Sequence, residues 1–392
     1  MRLALLSSIF FYSILSLGLT TISGRNEALK YDSNTPLRVL LDKGQQELNI
    51  KSILNTVFVK EDGAANWKKY LGSVRVRLSQ NKRTIWINGD PFKNSIIYVR
   101  GGTQHTDPLQ YGINLYRGAL KITNTKNGLL MTNIIPLEEY LYGMVAGEMS
   151  PQWELEALKA QVVAARTYAM YRLKHPRHPL YDLEKGTNDQ VYPGAGSESD
   201  KVRLAVEATH GQFISKDKEP IKTYYHSRCG GSTEPAQQVW NERDKHSPTS
   251  VPCPYCKKFP YSWRKSVQIQ EFFDLLKIPL EKLKPFKIAL LNKTNSGRIR
   301  EIAVETDQGK HLINSDELRH LLGYAQVKST RFDIKVDEDS VVFEGVGSGH
   351  GVGMCQWGAQ FLAKQGKNYK QILGHYYPNF QLHVGKLPRL SE

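Results

Sequence analysis

One glutamate of this chain stands where a carboxyl group is suited to act as a proton donor. Glu148 closes the segment 138–148, which has a helical period, and Ser150-Pro151 predicts the start of a second helix that ends near Lys174. Apolar neighbours such as Met149 disfavour the charged carboxylate at this corner and raise its pKa, as a general acid requires. The alternative is a solvated glutamate at a helix end.

Arg166, Gln190 and Tyr192, which follow this corner in the sequence, are candidates for binding a substrate. Arg166 lies beside the apolar stripe of the second helix, where a guanidinium is suited to clamp a substrate or a carboxylate. The alternative is that Arg166 is a surface residue whose aliphatic side-chain stem covers apolar neighbours. Gln190 and Tyr192, in the segment TNDQVYPG, are the other two candidates, although Asn-Asp and Pro-Gly also simply form turns.

Histidine and cysteine occur with the spacing of a metal site. His226 and Cys229 are separated by two residues, as are Cys253 and Cys256, and a loop joins the two pairs. This spacing predicts a four-ligand zinc site, which is structural because no coordination position stays open for water. The alternative is a disulfide among the cysteines, since an exported protein meets an oxidising compartment.

A glycine-rich segment near the C-terminus, GVGSGHGVGMCQWGA, contains the remaining candidates. Dense glycine suits a close approach between the backbone and an extended ligand, while His350, Gln356 and Trp357 offer hydrogen bonds and a stacking face for sugars. The alternative is a tight structural turn with a core tryptophan. We expect Cys355, in the same segment, to be a buried and inert small residue.

The elements that must position these residues indicate an α+β fold. Short alternating runs divided by turns, such as Asn88-Gly89, predict a mostly β N-terminal domain, and helical periods follow. Beyond the long core helix, the pattern predicts a helix at 268–276 and strands at 286–291, 298–306 and 331–335. The predicted domains are a mostly β domain at 36–135, a catalytic helical region with the start of the zinc loop at 136–245, and an α+β region at 246–390 that completes a substrate groove.

The N-terminus and the charge indicate where the protein acts. Residues 1–24 have one arginine before an uncharged apolar run, followed by small residues, as in a signal peptide; an uncleaved membrane anchor is the alternative. The net charge of +15 favours anionic partners. Because export argues against nucleic acid, we expect a wall polymer or a membrane surface, with the protein in the periplasm or cell wall and peripheral to the membrane or wall.

Five ordered blocks carry a resemblance to a known family. They run from YRGALKITNTKNGLLMTNIIPLEEY and the Glu148 segment through TNDQVYPG and YYHSRCGGST to GHGVGMCQWGA. Together they resemble the stage II sporulation protein D family, whose relatives include the amidase enhancers. The resemblance implies cleavage of peptidoglycan glycan strands, with Glu148 as the catalytic residue and Arg166 in the groove. The family commonly has Glu-Met-Pro where this chain has Glu-Met-Ser-Pro.

A single carboxyl group is enough for one kind of glycan cleavage. In a lytic transglycosylase, the acid protonates the glycosidic oxygen and then, as a base, assists the C6 hydroxyl of the same sugar in attacking C1. The expected product is a 1,6-anhydroMurNAc end, formed between MurNAc and GlcNAc. A glycan hydrolase would need a second carboxylate near Glu148. A non-catalytic, wall-binding module that stimulates an amidase is the other alternative, and an amidase is then a partner.

Overall fold

A large antiparallel sheet forms the first part of the protein. The computed structural model describes residues 36–81, 83–102, 107–240, 248–279 and 285–383, so the predicted signal peptide at 1–24 lies outside it. The strands of the sheet are β1 (Pro36–Gln45), β2 (Glu47–Glu61), β3 (Lys68–Leu78), β4 (Ile85–Ile87), β5 (Asp90–Phe92), β6 (Ile96–Gly101), β7 (Leu109–Tyr111), β8 (Asn114–Tyr116), β9 (Ala119–Thr125), β10 (Gly128–Pro136) and β11 (Leu183–Glu184).

Alternation and turn chemistry explain this sheet. In β3, Val74 and Val76 are buried while Arg75 and Arg77 are exposed, as the period of two requires. The predicted turn at Asn88-Gly89 joins β4 to β5, and both residues have positive φ, as in the tight turns that match strand twist. The strand order is β11-β1-β10-β9-β6-β2-β3-β4-β5, with β7 beside β2 and β8 beside β7.

Helices follow the sheet and surround one central helix. They are α1 (Leu137–Glu148), α2 (Leu155–Lys174), α3 (Asp200–Ala208), α4 (Ala236–Trp240), α5 (Pro254–Lys258), α6 (Ile269–Leu276), α7 (Ser315–Leu322), α8 (Gln356–Lys364) and α9 (Tyr369–Tyr376). The predicted long core helix is α2, which packs against α1, α3, α8 and α9. Its middle, from Ala160 to Met170, is buried on every face, where alanines allow the neighbouring helices to approach closely.

The start of α2 differs from the prediction. Ser150-Pro151 forms a turn in which the Ser150 hydroxyl accepts a hydrogen bond from the backbone of Gln152 at 3.3 Å. The helix begins only at Leu155, after Glu154, whose N–H donates to the side chain of Gln360 at 2.9 Å. Serine and proline are as compatible with a turn as with a helix start, and here the turn is formed.

The remaining strands lie in four small sheets. They are β12 (Phe213–Lys216), β13 (Glu219–Pro220), β14 (Tyr225–His226), β15 (Ser262–Gln268), β16 (Lys287–Lys293), β17 (Ile299–Thr306), β18 (Gly309–Asn314), β19 (Phe332–Val336), β20 (Ser340–Val346), β21 (Met354–Cys355) and β22 (Gln381–His383). The sheet orders are β13-β12-β22, β14-β21, β15-β20-β19 and β16-β17-β18.

Two apolar cores hold these layers together. The larger one joins the first sheet to α1, α2, α3, α8 and α9, so it continues across residue 135, where the sequence predicts a domain boundary. The smaller one lies between Trp263 and Phe343 and is made of α6, α7 and the sheets β15-β20-β19 and β16-β17-β18. The chain is therefore a mixture of α and β structure, as predicted, while the domain boundaries remain predictions.

No helix in the described ranges is both long enough and apolar enough to cross a membrane.

Candidate functional site

Glu148 is the last residue of α1, and its side chain lines a cavity. The chain leaves the helix at Met149 in an extended conformation. Oε1 accepts a hydrogen bond from the backbone N–H of Val191 at 2.7 Å, and Oε2 accepts one from Nε2 of Gln356 at 3.4 Å. Burial raises the pKa of Glu148, and these two hydrogen bonds oppose the rise only in part. Its position at a helix C-terminus adds to the preference for the neutral acid.

The cavity beside Glu148 has a volume of about 830 Å³ and is large enough to hold several sugar units. Its wall is made by α2, by the loop at 186–191, by the segment that leads into β14, by α7 and by the glycine-rich loop. The polar and aromatic side chains of the wall include Glu148, Tyr168, Arg172, Arg177, Asp189, Lys222, Tyr224, Tyr225, His226, Trp240, Asp316, Arg319, Tyr324, Lys328, His350 and Gln356.

Three carboxyl side chains line this cavity in the ordered segments, and two of them are ion-paired. Asp189 is fully buried and accepts hydrogen bonds from Arg172 at 3.1 Å and from Arg177 at 2.5 Å. Asp316 accepts one from Arg319 at 3.0 Å. Glu148 has only the neutral donors of Val191 and Gln356. It is therefore the one cavity carboxyl in these segments whose protonation does not require an ion pair to be broken.

The cavity has a positive electrostatic character. Five cationic side chains line it against three carboxyls, of which Glu148 is held toward its neutral form by the raised pKa. Such a wall attracts anionic ligands, which agrees with the net charge of the chain. All five of these cations, Arg172, Arg177, Lys222, Arg319 and Lys328, were missed in the sequence because isolated basic residues have no spacing that marks them.

The two histidines of the cavity wall are neutral and contact the backbone. Burial lowers the pKa of His226 to about 3 and the pKa of His350 well below its usual range. His350 was predicted to hydrogen-bond a sugar, but Nε2 contacts the carbonyl of Tyr225 at 3.0 Å and Nδ1 accepts from the N–H of Val352 at 3.1 Å. Both of its ring nitrogens are occupied, so only its ring is free to contact a ligand.

Three predicted substrate-binding residues lie in the core instead of the cavity. Arg166 is fully buried and donates two hydrogen bonds of 2.7 Å to Glu138, and Gln190 is held by Tyr140 and Tyr225. Tyr192 is 4% exposed and donates to Asn133 at 2.9 Å. These polar groups have protein partners within the described residues, and their role in binding substrate stays a prediction from the sequence.

Trp357 lies beside Gln356 and outside the cavity wall. Its ring is covered by the guanidinium of Arg228 at 4.0 Å and is met edge-on by Trp153 at 4.9 Å. Gln356, in contrast, faces the cavity as predicted and reaches Glu148. The first turn of α8 therefore presents Gln356 to the cavity, whereas Trp357 packs against aromatic neighbours.

The glycine-rich loop packs closely against the protein itself. Gly353 has a φ of +69°, and a Cβ there would collide with the carbonyl of Tyr224. The adjacent residues Met354 and Cys355 pair in parallel with Tyr225 and His226. The glycine is thus required for the chain to pass this close to its neighbouring segment, which agrees with the alternative of a tight structural turn.

Four buried cysteines form one cluster. The sulfurs of Cys229, Cys253, Cys256 and Cys355 all lie within 4.8 Å of one another, and no disulfide joins them. Cys256 and Cys355 have their sulfurs 3.6 Å apart, close to the spacing of ligands in a tetrahedral sulfur site with bonds of about 2.3 Å. Four thiolates are a donor set that zinc prefers, so these residues fit the metal.

The cluster corrects two predictions about its members. His226 is not part of it, because its Nδ1 contacts the carbonyl of Val352 at 3.0 Å. Cys355, predicted to be inert, supplies the fourth sulfur. The pairing of β14 with β21 places Cys355 directly opposite His226 on the adjacent strand, and the sequence spacing gives no sign of this pairing.

Comparison with known proteins identifies two matching family models. The model described as stage II sporulation protein matches residues 125–215, which include α1, α2 and Glu148. A model described as a domain of unknown function (DUF8618) matches residues 256–353, the part that contains the smaller core.

Curated relatives match a larger share of the chain. An uncharacterised protein of Brachyspira hyodysenteriae is 35% identical over 264 residues, which cover 67% of this chain and 70% of that protein. Stage II sporulation protein D of Bacillus subtilis is 33% identical over 266 residues, covering 63% and 74%. The amidase enhancer of Bacillus subtilis is 29% identical over 304 residues, covering 62% of this chain and 40% of the enhancer.

Proposed function

This chain belongs to the stage II sporulation protein D family, and we propose that it is an exported lytic transglycosylase that cleaves peptidoglycan glycan strands. The observation that supports this proposal best is the state of Glu148. It is a carboxyl group with a raised pKa, without an ion pair in the described part of the chain, on the wall of a cavity of about 830 Å³. Family membership and the likeness to an amidase enhancer support a role at the cell wall.

The proposed reaction uses Glu148 twice. Protonated Glu148 donates its proton to the oxygen that links MurNAc to GlcNAc, and the bond from that oxygen to C1 breaks. The C6 hydroxyl oxygen of the same MurNAc then forms a bond to C1, and its proton returns to Glu148. No water is consumed, and the products are a 1,6-anhydroMurNAc end and a GlcNAc end with a free C4 hydroxyl. The raised pKa supports the first step because burial favours the protonated form of the carboxyl group over the carboxylate.

The neighbours of Glu148 have defined parts in this reaction. The Val191 N–H and the Gln356 amide hold the two carboxyl oxygens, so the acid has a fixed orientation, and they stabilise the carboxylate that exists between the two proton transfers. Neutral His226 and His350 cannot donate the first proton as imidazolium ions at neutral pH. Glu148 is therefore the proposed general acid and general base.

The central experiment compares the wild type with Glu148→Gln on purified glycan strands. Mass spectrometry should find anhydro ends with the wild type and none with the variant. Glu207→Gln, which changes an exposed carboxyl on α3, is the matched control and should retain full activity. Anhydro ends from Glu148→Gln at the wild-type rate would remove Glu148 from the mechanism.

The same incubation in H₂¹⁸O separates the transglycosylase from a hydrolase. A hydrolase places one atom of ¹⁸O on each new reducing end, whereas the intramolecular reaction incorporates none. An amidase enhancer is the second candidate, supported by the 29% identity to such a protein. In that case the chain leaves strands uncut, and both the wild type and Glu148→Gln raise the rate at which an added amidase releases stem peptides.

We propose further that the four cysteine sulfurs hold a structural zinc ion. Bound there, zinc would cross-link the segments around Cys229, Cys253 and Cys355, and a closed set of four thiolates leaves no position for activating water. Elemental analysis should find one zinc per chain in the wild type and a strongly reduced content in Cys355→Ala. His226→Ala should retain zinc. Zinc loss from His226→Ala but not from Cys355→Ala would restore the ligand set expected from the sequence.

A further inference from the structure

A separate unit of the chain is inserted at the edge of the Glu148 cavity. Strands β14 and β21 pair in parallel, and the chain between them leaves the main core and returns to it. This excursion has an apolar core of its own, and the domain model of unknown function matches residues 256–353 within it. The stage II sporulation model ends at residue 215 and does not include this unit.

The inserted unit supplies one wall of the cavity. Asp316, Arg319, Tyr324 and Lys328 belong to it, and they line the same cavity as Glu148 and Arg172 of the main core. A ligand that fills the cavity therefore contacts both parts of the chain.

Arg319 is buried and held by hydrogen bonds inside the inserted unit. It is 4% exposed, and its Nη1 donates to Asp316 at 3.0 Å, its Nε to the carbonyl of Val327 at 2.9 Å and its Nη2 to the carbonyl of Lys328 at 3.1 Å. The same Lys328 carbonyl accepts the N–H of Gly349 at 2.7 Å. The backbone at Lys328 is thus fixed both to its own unit and to the glycine-rich loop.

Lys328 is the cation that this wall offers to a ligand. Its ammonium group donates to the hydroxyl of Tyr261 at 2.8 Å and lies 5.0 Å from the centre of that ring. No carboxylate of the described residues forms an ion pair with it. Two of the three N–H donors of Lys328 remain for a ligand. The nearby carboxylates of Asp189 and Asp316 are already paired with arginines.

We propose that the inserted unit is a substrate-binding domain in which Lys328 binds a carboxylate of the glycan strand, so that Lys328 determines specificity in the Glu148 cavity. This inference rests on the proposed function. A glycan strand offers carboxylates from two sources: the lactyl group of MurNAc, which is free where the stem peptide has been removed, and the stem peptide itself. A lysine ammonium binds either one by the same charge-assisted hydrogen bond.

The test measures binding separately from cleavage by placing every variant in the Glu148→Gln background. Three ligands are compared: strands without stem peptides, strands with stem peptides, and neutral chitin oligosaccharides. Lys328→Met removes the charge and keeps the apolar stem, and Lys328→Arg restores a cation. The control is Lys335→Met, an exposed lysine of the same unit that is paired with Glu344.

Lys328→Met should weaken binding of a carboxylate-bearing strand roughly tenfold to a hundredfold, the range for losing a hydrogen bond to a charged group. Chitin binding should not change, and Lys328→Arg should recover most of the affinity. A loss with peptide-free strands identifies the lactyl carboxylate, and a loss confined to peptide-bearing strands identifies the peptide. Unchanged binding of both strands, or an equal loss with chitin, would overturn the proposal.

The two proposals fail in different ways. With Glu148 intact, Lys328→Met should raise KM and leave kcat near the wild-type value, because Lys328 does not touch the reacting bond. Charge-dependent binding without any anhydro product would overturn the transglycosylase proposal alone. If anhydro product forms but Lys328→Met binds the strands as well as the unsubstituted protein does, only the inference about the inserted unit is overturned.

Discussion

Replacing Arg166 with methionine is the sharpest test of the core beside α1, the helix that ends at Glu148. Arg166 is fully buried, and its two hydrogen bonds of 2.7 Å join α2 to Glu138 in the first turn of α1. It also donates to the carbonyl of Gln212 at 3.1 Å. Methionine fills much of the same volume but leaves the Glu138 carboxylate buried and unpaired.

The loss of stability expected for Arg166→Met follows from the burial of its ion pair with Glu138. Removing one partner of a buried ion pair destabilises a protein by about 3–5 kcal/mol. Unfolding entropy for a chain of this size is roughly 0.7 kcal/mol per degree, so the melting temperature should fall by roughly 4–7 °C. Replacing both partners, as Arg166→Met with Glu138→Leu, removes the unpaired charge and should return stability to within about 1–2 kcal/mol of the wild type.

Urea unfolding at pH 7, followed by circular dichroism, measures these differences. Arg75→Met is the matched control, because Arg75 forms a two-bond ion pair with Glu47 at 2.7 and 2.8 Å but on the surface, and its loss should change stability little. Loss of less than 1 kcal/mol in Arg166→Met would refute the reasoning. A stable double variant that no longer binds glycan strands would return Arg166 to the substrate-binding role expected from the sequence.

Three further outcomes are expected. Glycan cleavage should fall as pH rises through the raised pKa of Glu148, because the acid must be protonated. Gln356→Ala removes a donor that stabilises the carboxylate and so raises this pKa further. The descending limb of the pH–rate profile should therefore move to higher pH. Tyr192→Phe leaves the Asn133 side-chain oxygen without its donor, and urea unfolding should show a loss of about 1–3 kcal/mol with normal cleavage by the folded protein. Gly353→Ala should yield little soluble protein in an expression assay, because its Cβ would meet a backbone carbonyl and its φ of +69° is strained for alanine.

Local patterns in the sequence predicted most elements of the fold. The Asn88-Gly89 turn, the α1 and α2 helices and the helix at 268–276 follow from periodicity and turn chemistry, which act between near neighbours. Strand β20 and helix α7 were missed. In β20 the Val341-Val342-Phe343 run is buried on both faces, so it lacks the alternation that marks a half-exposed strand.

The candidate site was harder to predict because it depends on distant contacts. Glu148 was found from its helix end and its neighbours, yet its two hydrogen-bond partners come from the loop at 191 and from α8. Periodicity placed Arg166 beside the apolar stripe but could not tell that Glu138 would cover it. The same limit explains the fourth cysteine, since no local spacing relates Cys355 to Cys229.

The sulfur cluster also constrains the order in which the protein can fold. Cys229 and Cys355 are 126 positions apart in the chain, with Cys253 and Cys256 between them. Closing a loop of that length removes roughly 4 kcal/mol of chain entropy, so the contact forms late unless the excursion is already compact. We therefore expect the smaller core to form before the last sulfur joins the cluster. Because that sulfur immediately precedes Gln356 in the chain, the same short segment positions both the fourth sulfur and a hydrogen-bond donor to Glu148.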